Sequence, residues 1–193
     1  MKPFKKSAIF FVLVLIHFPV WGKIEYEKMI IEQSNSRAMD FNLLLAIAHA
    51  ESNFRPKVVS FRGAVGLCQI TIPVAKDRLG YSHKDRSKDA ALHKRLLNPA
   101  ENIKIALLHL AWIDKHLNKR FKGTDRFRMI VAIYNAGYRN FINKTGRLPR
   151  LGEGTKPMEK WKVKERDGYI SKVSKSYMRF VNKYGHSKFS LLK

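Results

Sequence analysis

The chain carries one cysteine, Cys68, in 193 residues. No internal disulfide can form, which excludes a disulfide-stapled scaffold. Acids are scarce as well: 15 Asp and Glu stand against 38 Lys and Arg, for a formal net charge of +23. The apolar run from Ser7 to Phe18 is too short for a membrane span, which needs ~20 apolar residues. Hardly any stretch alternates with period two, which argues against a β-rich domain. His49, His83, His93, His109 and His116 are scattered, with no H-E-x-x-H or Cys/His clustering, so no metal is assigned. No phosphate-cradling glycine loop and no G-x-S-x-G elbow are present. Cys68 lies in an apolar stretch between Leu67 and Gln69, which marks it as packing rather than a nucleophile.

What is present suits one domain with a sizeable core: 45% hydrophobic and 27% charged residues over this length. Lys2, Lys5 and Lys6 precede the apolar run, and Pro19-Val20-Trp21-Gly22 follows it. That order reads as a secretory signal cleaved after Gly22 rather than a retained anchor. Its removal takes three lysines and no acid, lowering the charge from +23 to +20. Such a charge favours a polyanion: nucleic acid, an anionic membrane face or an acidic cell-wall polymer. Export argues against nucleic acid.

The rest reads as helices. Residues 24–33 form a first helix with Ile24, Met29 and Ile30 toward the core. Asp40 or Asn42 caps a second, FNLLLAIAHAESNF, apolar on most of its circumference and so buried, with Pro56 as its stop. A glycine-bearing loop follows, which could hold a small hairpin between residues 57 and 70. A third helix begins near Thr71 and ends at Gly80. A short helix spans Ala90 to Leu97. Asn98-Pro99-Ala100-Glu101 is a strong start signal for a helix running to Leu117. Asp125 caps the next, with Gly137 as its stop. Residues 145–160 read as a long loop, and a last helix covers Asp167 to Tyr184. The fold class is mainly α: residues 1–22 as signal and 23–193 as one domain with at most a minor β-hairpin.

Most acids fall in turns or polar stretches. Glu51 alone is embedded in apolar sequence, at a helix C-terminus, where the dipole penalises negative charge by up to ~1 kcal/mol. On position alone, a Glu reaching solvent from a frayed helix end explains it equally well. A buried carboxyl, however, has a raised pKa and can donate a proton near neutral pH. Glycosidases ordinarily use two carboxyls, and between Asn53 and Lys76 there is no acid. A single-acid glycosidase would need a substrate group as its second participant.

Four stretches then resemble one family. Glu51-Ser52-Asn53-Phe54-Arg55-Pro56, Ser60, Gly63-Ala64-Val65-Gly66-Leu67-Cys68-Gln69-Ile70 and Pro73 resemble the first signature of soluble-type lytic transglycosylase catalytic domains. Asn98-Pro99-Ala100-Glu101-Asn102-Ile103 resembles the second, Ala132-Ile133-Tyr134-Asn135-Ala136-Gly137 the third, and Glu165 with Tyr169, Ile170 and Val173 the last. The resemblance implies a lysozyme-like fold and cleavage of the β-1,4 bond between N-acetylmuramic acid and N-acetylglucosamine, closing a 1,6-anhydro ring. It implies Glu51 as acid then base, Ser60 orienting Glu51 or substrate, and Gln69 hydrogen-bonding sugar. Tyr134 and Asn135 would line the floor, the Tyr134 hydroxyl being a natural partner for the Glu51 carboxyl. Glu165 and Tyr169 would close the far wall. Cys68 stands where the family usually has Met, Ala106 and His109 where it has Gly and Tyr, and Arg166 where it has Thr.

No cofactor is expected. The expected partners are peptidoglycan glycan strands and, from small size alone, a secretion or conjugation apparatus. The protein is expected to be a monomer in the periplasm or cell envelope. A hydrolytic muramidase of the same fold would want a second carboxylate. An inactive secreted peptidoglycan-binding protein would have little use for Glu51, Ser60, Gln69, Tyr134 and Asn135 together.

Overall fold

A computed structural model describes residues 24–117, 121–145 and 164–189. The expected signal segment and nearly all of the loop expected over residues 145–160 lie outside them. The first helix, α1, spans residues 24–35. It buries Ile30 and packs Met29 against the core. Ile24, expected toward the core, is instead 45% exposed at the helix start.

Helix α2 (Phe41–Ser52) is the buried axis of the molecule. Leu44, Leu45, Ala46, Ile47 and Ala48 have no accessible surface, and five consecutive buried residues leave the helix no solvent face. Asp40 is its N-cap: Oδ1 accepts from the Asn42 and Leu43 amides at 2.9 and 3.3 Å. Oδ2 accepts from the Tyr177 hydroxyl at 2.7 Å and the Lys188 amide at 3.1 Å. One carboxylate thus starts α2 and ties it to the C-terminal region. Asn42, the alternative cap, donates its side-chain amide to the His186 carbonyl instead.

The helix ends before Pro56. Asn53 turns left-handed at φ 52°, a conformation Asn tolerates better than most residues. Strands β1 (Ala64–Val65) and β2 (Ile70–Thr71) form an antiparallel hairpin, pairing Ala64 with Thr71 and Val65 with Ile70. Helix α3 (Ile72–Leu79) follows, with Pro73 in its first turn and Gly80 as left-handed stop. A 3-10 turn (Arg86–Lys88) leads into α4 (Asp89–Leu96). Asn98 caps α5 (Pro99–Leu117), its Oδ1 accepting from the Glu101 amide at 3.2 Å. Helix α6 (Gly123–Ala136) begins ahead of Asp125, which sits in its first turn rather than capping it. An acid there still complements the helix dipole. Gly137, at φ 78°, separates α6 from α7 (Tyr138–Thr145). The last helix, α8, spans Lys164–Tyr184 and starts three residues ahead of the expected Asp167.

Helix α2 lies along α8, α8 against α6, α6 against α5, and α5 carries α3 and α4. Among the described residues the architecture is mainly α with one two-residue-per-strand hairpin, as the sequence pattern indicates. Its consequence is positional: α2 delivers Glu51 from a rigid, dry element to the point where the hairpin loop, the end of α6 and the start of α8 converge.

Candidate active site

Glu51 occupies the last turn of α2. Its Oε1 accepts a 2.6 Å hydrogen bond from the Tyr169 hydroxyl. Lys172, three residues further along α8 and on the same face, donates Nζ to the Ala50 carbonyl at the end of α2. Burial raises the Glu51 pKa above the ordinary carboxylate value, while the Tyr169 hydrogen bond and the Lys172 charge pull it back. The carboxyl is therefore protonated more readily than a surface Glu, with two groups ready to stabilise the carboxylate once the proton leaves.

The carboxyl opens on a cavity of about 390 Å³ lined by Ser60, Arg62, Gln69, Tyr134 and Asn135, among others. Among the described lining residues Glu51 is the only acid. Ser60 is held by a reciprocal turn: its amide donates to the Ala64 carbonyl at 2.8 Å, and its Oγ accepts from the Ala64 amide at 3.0 Å. The hydroxyl proton is left to donate elsewhere. Gln69 has a left-handed backbone, φ 50°. Its Nε2 donates to the carbonyls of Val58 and Gly66 at 3.1 and 2.9 Å. Both amide protons are thus spent, and Oε1 is what it can offer a ligand.

A buried residue of α5 shapes this loop. Asn102 accepts from the Cys68 amide at 2.8 Å and donates to the carbonyls of Val65 and Leu96 at 2.8 and 2.9 Å. Gly66 passes so close that a Cβ there would meet Asn102 Nδ2 at 2.3 Å and the Leu96 carbonyl at 2.5 Å. Its φ of +83° excludes most side chains as well. Gly63, by contrast, has open space around it and needs only its turn conformation.

The Tyr134 hydroxyl does not bond Glu51. It donates to the Cys68 carbonyl at 2.8 Å, because Asn102 has drawn the loop down until that carbonyl faces α6. Tyr169 takes the place expected for Tyr134. It was expected on the far wall, but its hydroxyl reaches the carboxyl itself. Burial and the Glu51 charge hold both tyrosines well above their ordinary pKa, so both remain protonated donors. Asn135 is exposed on the cavity wall. Glu165 lies in the first turn of α8, and its side chain is outside the described set. Cys68 is fully buried, and burial together with the Glu51 charge pushes its thiol far up. The sequence reading gave no role to Asn102 and His109, though both were quoted in motifs, and passed over Arg62, which lines the cavity, and Lys172, which faces Glu51. Among the described residues no cluster of His, Cys, Asp and Glu is placed to hold a metal.

A family model described as the transglycosylase SLT domain matches residues 28–152. The chain belongs to this SLT family. One relative, membrane-bound lytic murein transglycosylase F of Pseudomonas fluorescens, is 27% identical over 157 residues, covering 75% of this chain and 30% of the relative. Membrane-bound lytic murein transglycosylase C of Histophilus somni is 29% identical over 113 residues, covering 58% of this chain and 31% of the relative. The chain thus matches less than a third of the length of these curated relatives. Among solved structures, the 70 kDa soluble lytic transglycosylase of Escherichia coli superposes with a TM-score of 0.60 at 24% identity, covering 87% of this chain and 26% of that one. An inactive mutant of Slt from Pseudomonas aeruginosa gives 0.59 at 20% identity, covering 82% and 24%. The fold is that of the lysozyme-like SLT domains.

Proposed function

We propose that this SLT-family chain is a peptidoglycan lytic transglycosylase in which Glu51 acts first as acid and then as base. The observation that carries the reading is the lone carboxyl in the cavity, with a raised pKa and no second acid among the described lining residues. Protonated Glu51 gives its proton to the glycosidic oxygen as the C1–O4 bond between N-acetylmuramic acid and N-acetylglucosamine breaks. The resulting carboxylate takes the proton of the muramyl C6 hydroxyl, whose oxygen closes onto C1. One carboxyl completes the cycle, and no water is consumed. General acid help of this kind contributes typically ~10²–10⁴-fold.

Tyr169 orients the carboxyl and stabilises its ionised state. Ser60 offers a hydroxyl proton, Gln69 an acceptor oxygen, and Asn135 an exposed amide to the sugars. Tyr134 supports the floor through Cys68. Glu165 and Tyr169 would together bound the side of the groove formed by α8. A hydrolytic muramidase would need a carboxylate to activate water, and the described cavity wall supplies none.

The substrate would be peptidoglycan glycan strands; the strong positive charge favours a polyanion, and export makes that an anionic wall polymer rather than nucleic acid. The basic n-region and apolar run at residues 2–18 support export to the periplasm or cell envelope through a signal cleaved near Gly22. The curated relatives are named as membrane-bound proteins. No described helix is long and apolar enough to cross one. The chain would act as a monomer, without cofactor or metal, in wall turnover or local wall opening for a secretion or conjugation apparatus.

The test is digestion of purified peptidoglycan with mass analysis of the products. Anhydro-muramyl ends support the proposal; reducing ends that have gained one water refute it. Glu51→Gln should abolish cleavage with the helical signal intact, and a cleaving variant would remove Glu51 from the mechanism.

A further inference from the structure

His109 stands on α5 and lines the same cavity as Glu51, beside Ile70, Val74 and Tyr134. Only 6% of its surface is accessible. Its ring lies 5.4 Å from the Tyr134 ring and stacks at 6.2 Å on Trp112. Its Nδ1 is sealed from solvent with no hydrogen-bond partner.

That orphaned atom fixes the tautomer. A neutral imidazole carries one N–H and one bare nitrogen. A buried N–H without an acceptor is among the rarest arrangements in folded proteins, and an unfilled lone pair is tolerated better. The proton therefore sits on Nε2, the nitrogen left to meet a ligand. The ring is neutral: burial, and the positive Arg78 guanidinium nearby, push its pKa down to about 4 against a smaller opposing pull from Asp77. Arg78 is itself held over the Trp112 ring at 4.3 Å. The groove floor thus presents a fixed, uncharged donor beside the apolar side chains of Ile70 and Val74.

We infer that His109 donates an Nε2–H hydrogen bond to the acetamido carbonyl of a bound sugar, and so selects N-acetylated glycans over glycans bearing a plain hydroxyl at C2. An acetamido group matches the place in both its parts. Its carbonyl is the strongest neutral acceptor on such a glycan, and its methyl can pack on Ile70 and Val74, which a hydroxyl would leave wet and unfilled. This inference rests on the reading of the cavity as a glycan groove, and adds to it a specificity determinant.

The experiment measures binding of chitotetraose and cellotetraose, two neutral β-1,4 glycans that differ at C2, to the full chain carrying Glu51→Gln so that neither is cut. The parent should prefer chitotetraose by about tenfold, the scale of one net hydrogen bond. Adding His109→Leu should bring the ratio near one. His109→Gln, whose amide N–H can stand near the Nε2–H, should keep most of it. A merely structural histidine would weaken both sugars together and leave the ratio unchanged, and that result overturns the inference. So would ring ¹⁵N shifts placing the proton on Nδ1. If the parent binds neither sugar, the glycan-groove reading falls and this inference falls with it. Binding with an unchanged ratio in His109→Leu removes the inference alone.

Discussion

Replacing Asn102 by Ala should damage this protein more than any change at an exposed wall residue of the groove. The side chain makes three buried hydrogen bonds, to the Cys68 amide and the carbonyls of Val65 and Leu96. Orphaning the amide costs about 1–3 kcal/mol and each abandoned carbonyl about 1 more, a total of roughly 3–5 kcal/mol. Domains of this kind are stable by only ~5–15 kcal/mol, so about a fifth or more of the stability rests on one side chain. At about 2–4 °C per kcal/mol, the melting temperature should fall by on the order of 10 °C. Urea unfolding followed by circular dichroism measures this directly. Gly66→Ala supplies an internal check. Its Cβ would stand 2.3 Å from Asn102 Nδ2, 2.5 Å from the Leu96 carbonyl, and at φ +83°. Combining it with Asn102→Ala removes the side-chain clash but neither the backbone clash nor the strained φ. The double variant should therefore be no more stable than Asn102→Ala. A loss under about 1 kcal/mol for Asn102→Ala, or a double variant more stable than it, would refute the claim that Asn102 pins the loop.

Two further outcomes follow from the site. Tyr169→Phe removes the hydrogen bond that lowers the Glu51 pKa, so that pKa rises, the acid stays protonated to higher pH, and the alkaline limb of the pH–rate profile moves upward while kcat falls; an unmoved limb would show that Tyr169 does not set the proton affinity of Glu51. Cys68, fully buried with its thiol pKa pushed far up, should resist thiol reagents in native protein and react at once in urea, and rapid native labelling would contradict the packing described for it.

The helices were legible because their signals are local. Asn98-Pro99 at the start of α5 and the Gly80 and Gly137 stops require only neighbouring residues to act. The end of α2 misled because a proline is a conspicuous stop, whereas Asn53 ends the helix by adopting a left-handed φ that its composition permits but does not announce. Asp125 looked like a cap because it is an acid near a helix start, yet the chain turns two residues earlier at Gly123. At the site, Glu51 could be found from its apolar setting. Its partner could not. Both Tyr134 and Tyr169 belong to recognisable motifs, and which hydroxyl reaches the carboxyl depends on where the Cys68 carbonyl lies. That in turn depends on Asn102, from a third element. Its role was hidden because three hydrogen bonds to backbone leave no trace in the sequence of the groups it binds. One signal was available: an Asn facing the core side of α5, among Ile103, Ile105 and Ala106, is a buried polar group that must have partners.

The placement of Glu51 at the wrong end of a helix, for a negative charge, suits what the proposed reaction would ask of it. A helix C-terminus is unfavourable for a negative charge, and burial raises the Glu51 pKa. Left alone, these effects would keep the carboxyl protonated but make it a reluctant donor, since the proton once given would be reclaimed too eagerly to leave the carboxylate any lifetime. Helix α8 answers both from one face. Lys172 binds the Ala50 carbonyl, which α2 cannot satisfy internally, and places its charge where it favours the carboxylate. Tyr169 donates directly to Oε1 of the carboxylate. The pKa of the one carboxyl is thereby set by two opposing effects, raised by burial and lowered by Tyr169 and Lys172 of the helix that faces it. A group that, as proposed, gives a proton and then takes one in a single turnover would need both states within reach, and the close packing of α2 on α8 is how the fold would provide that.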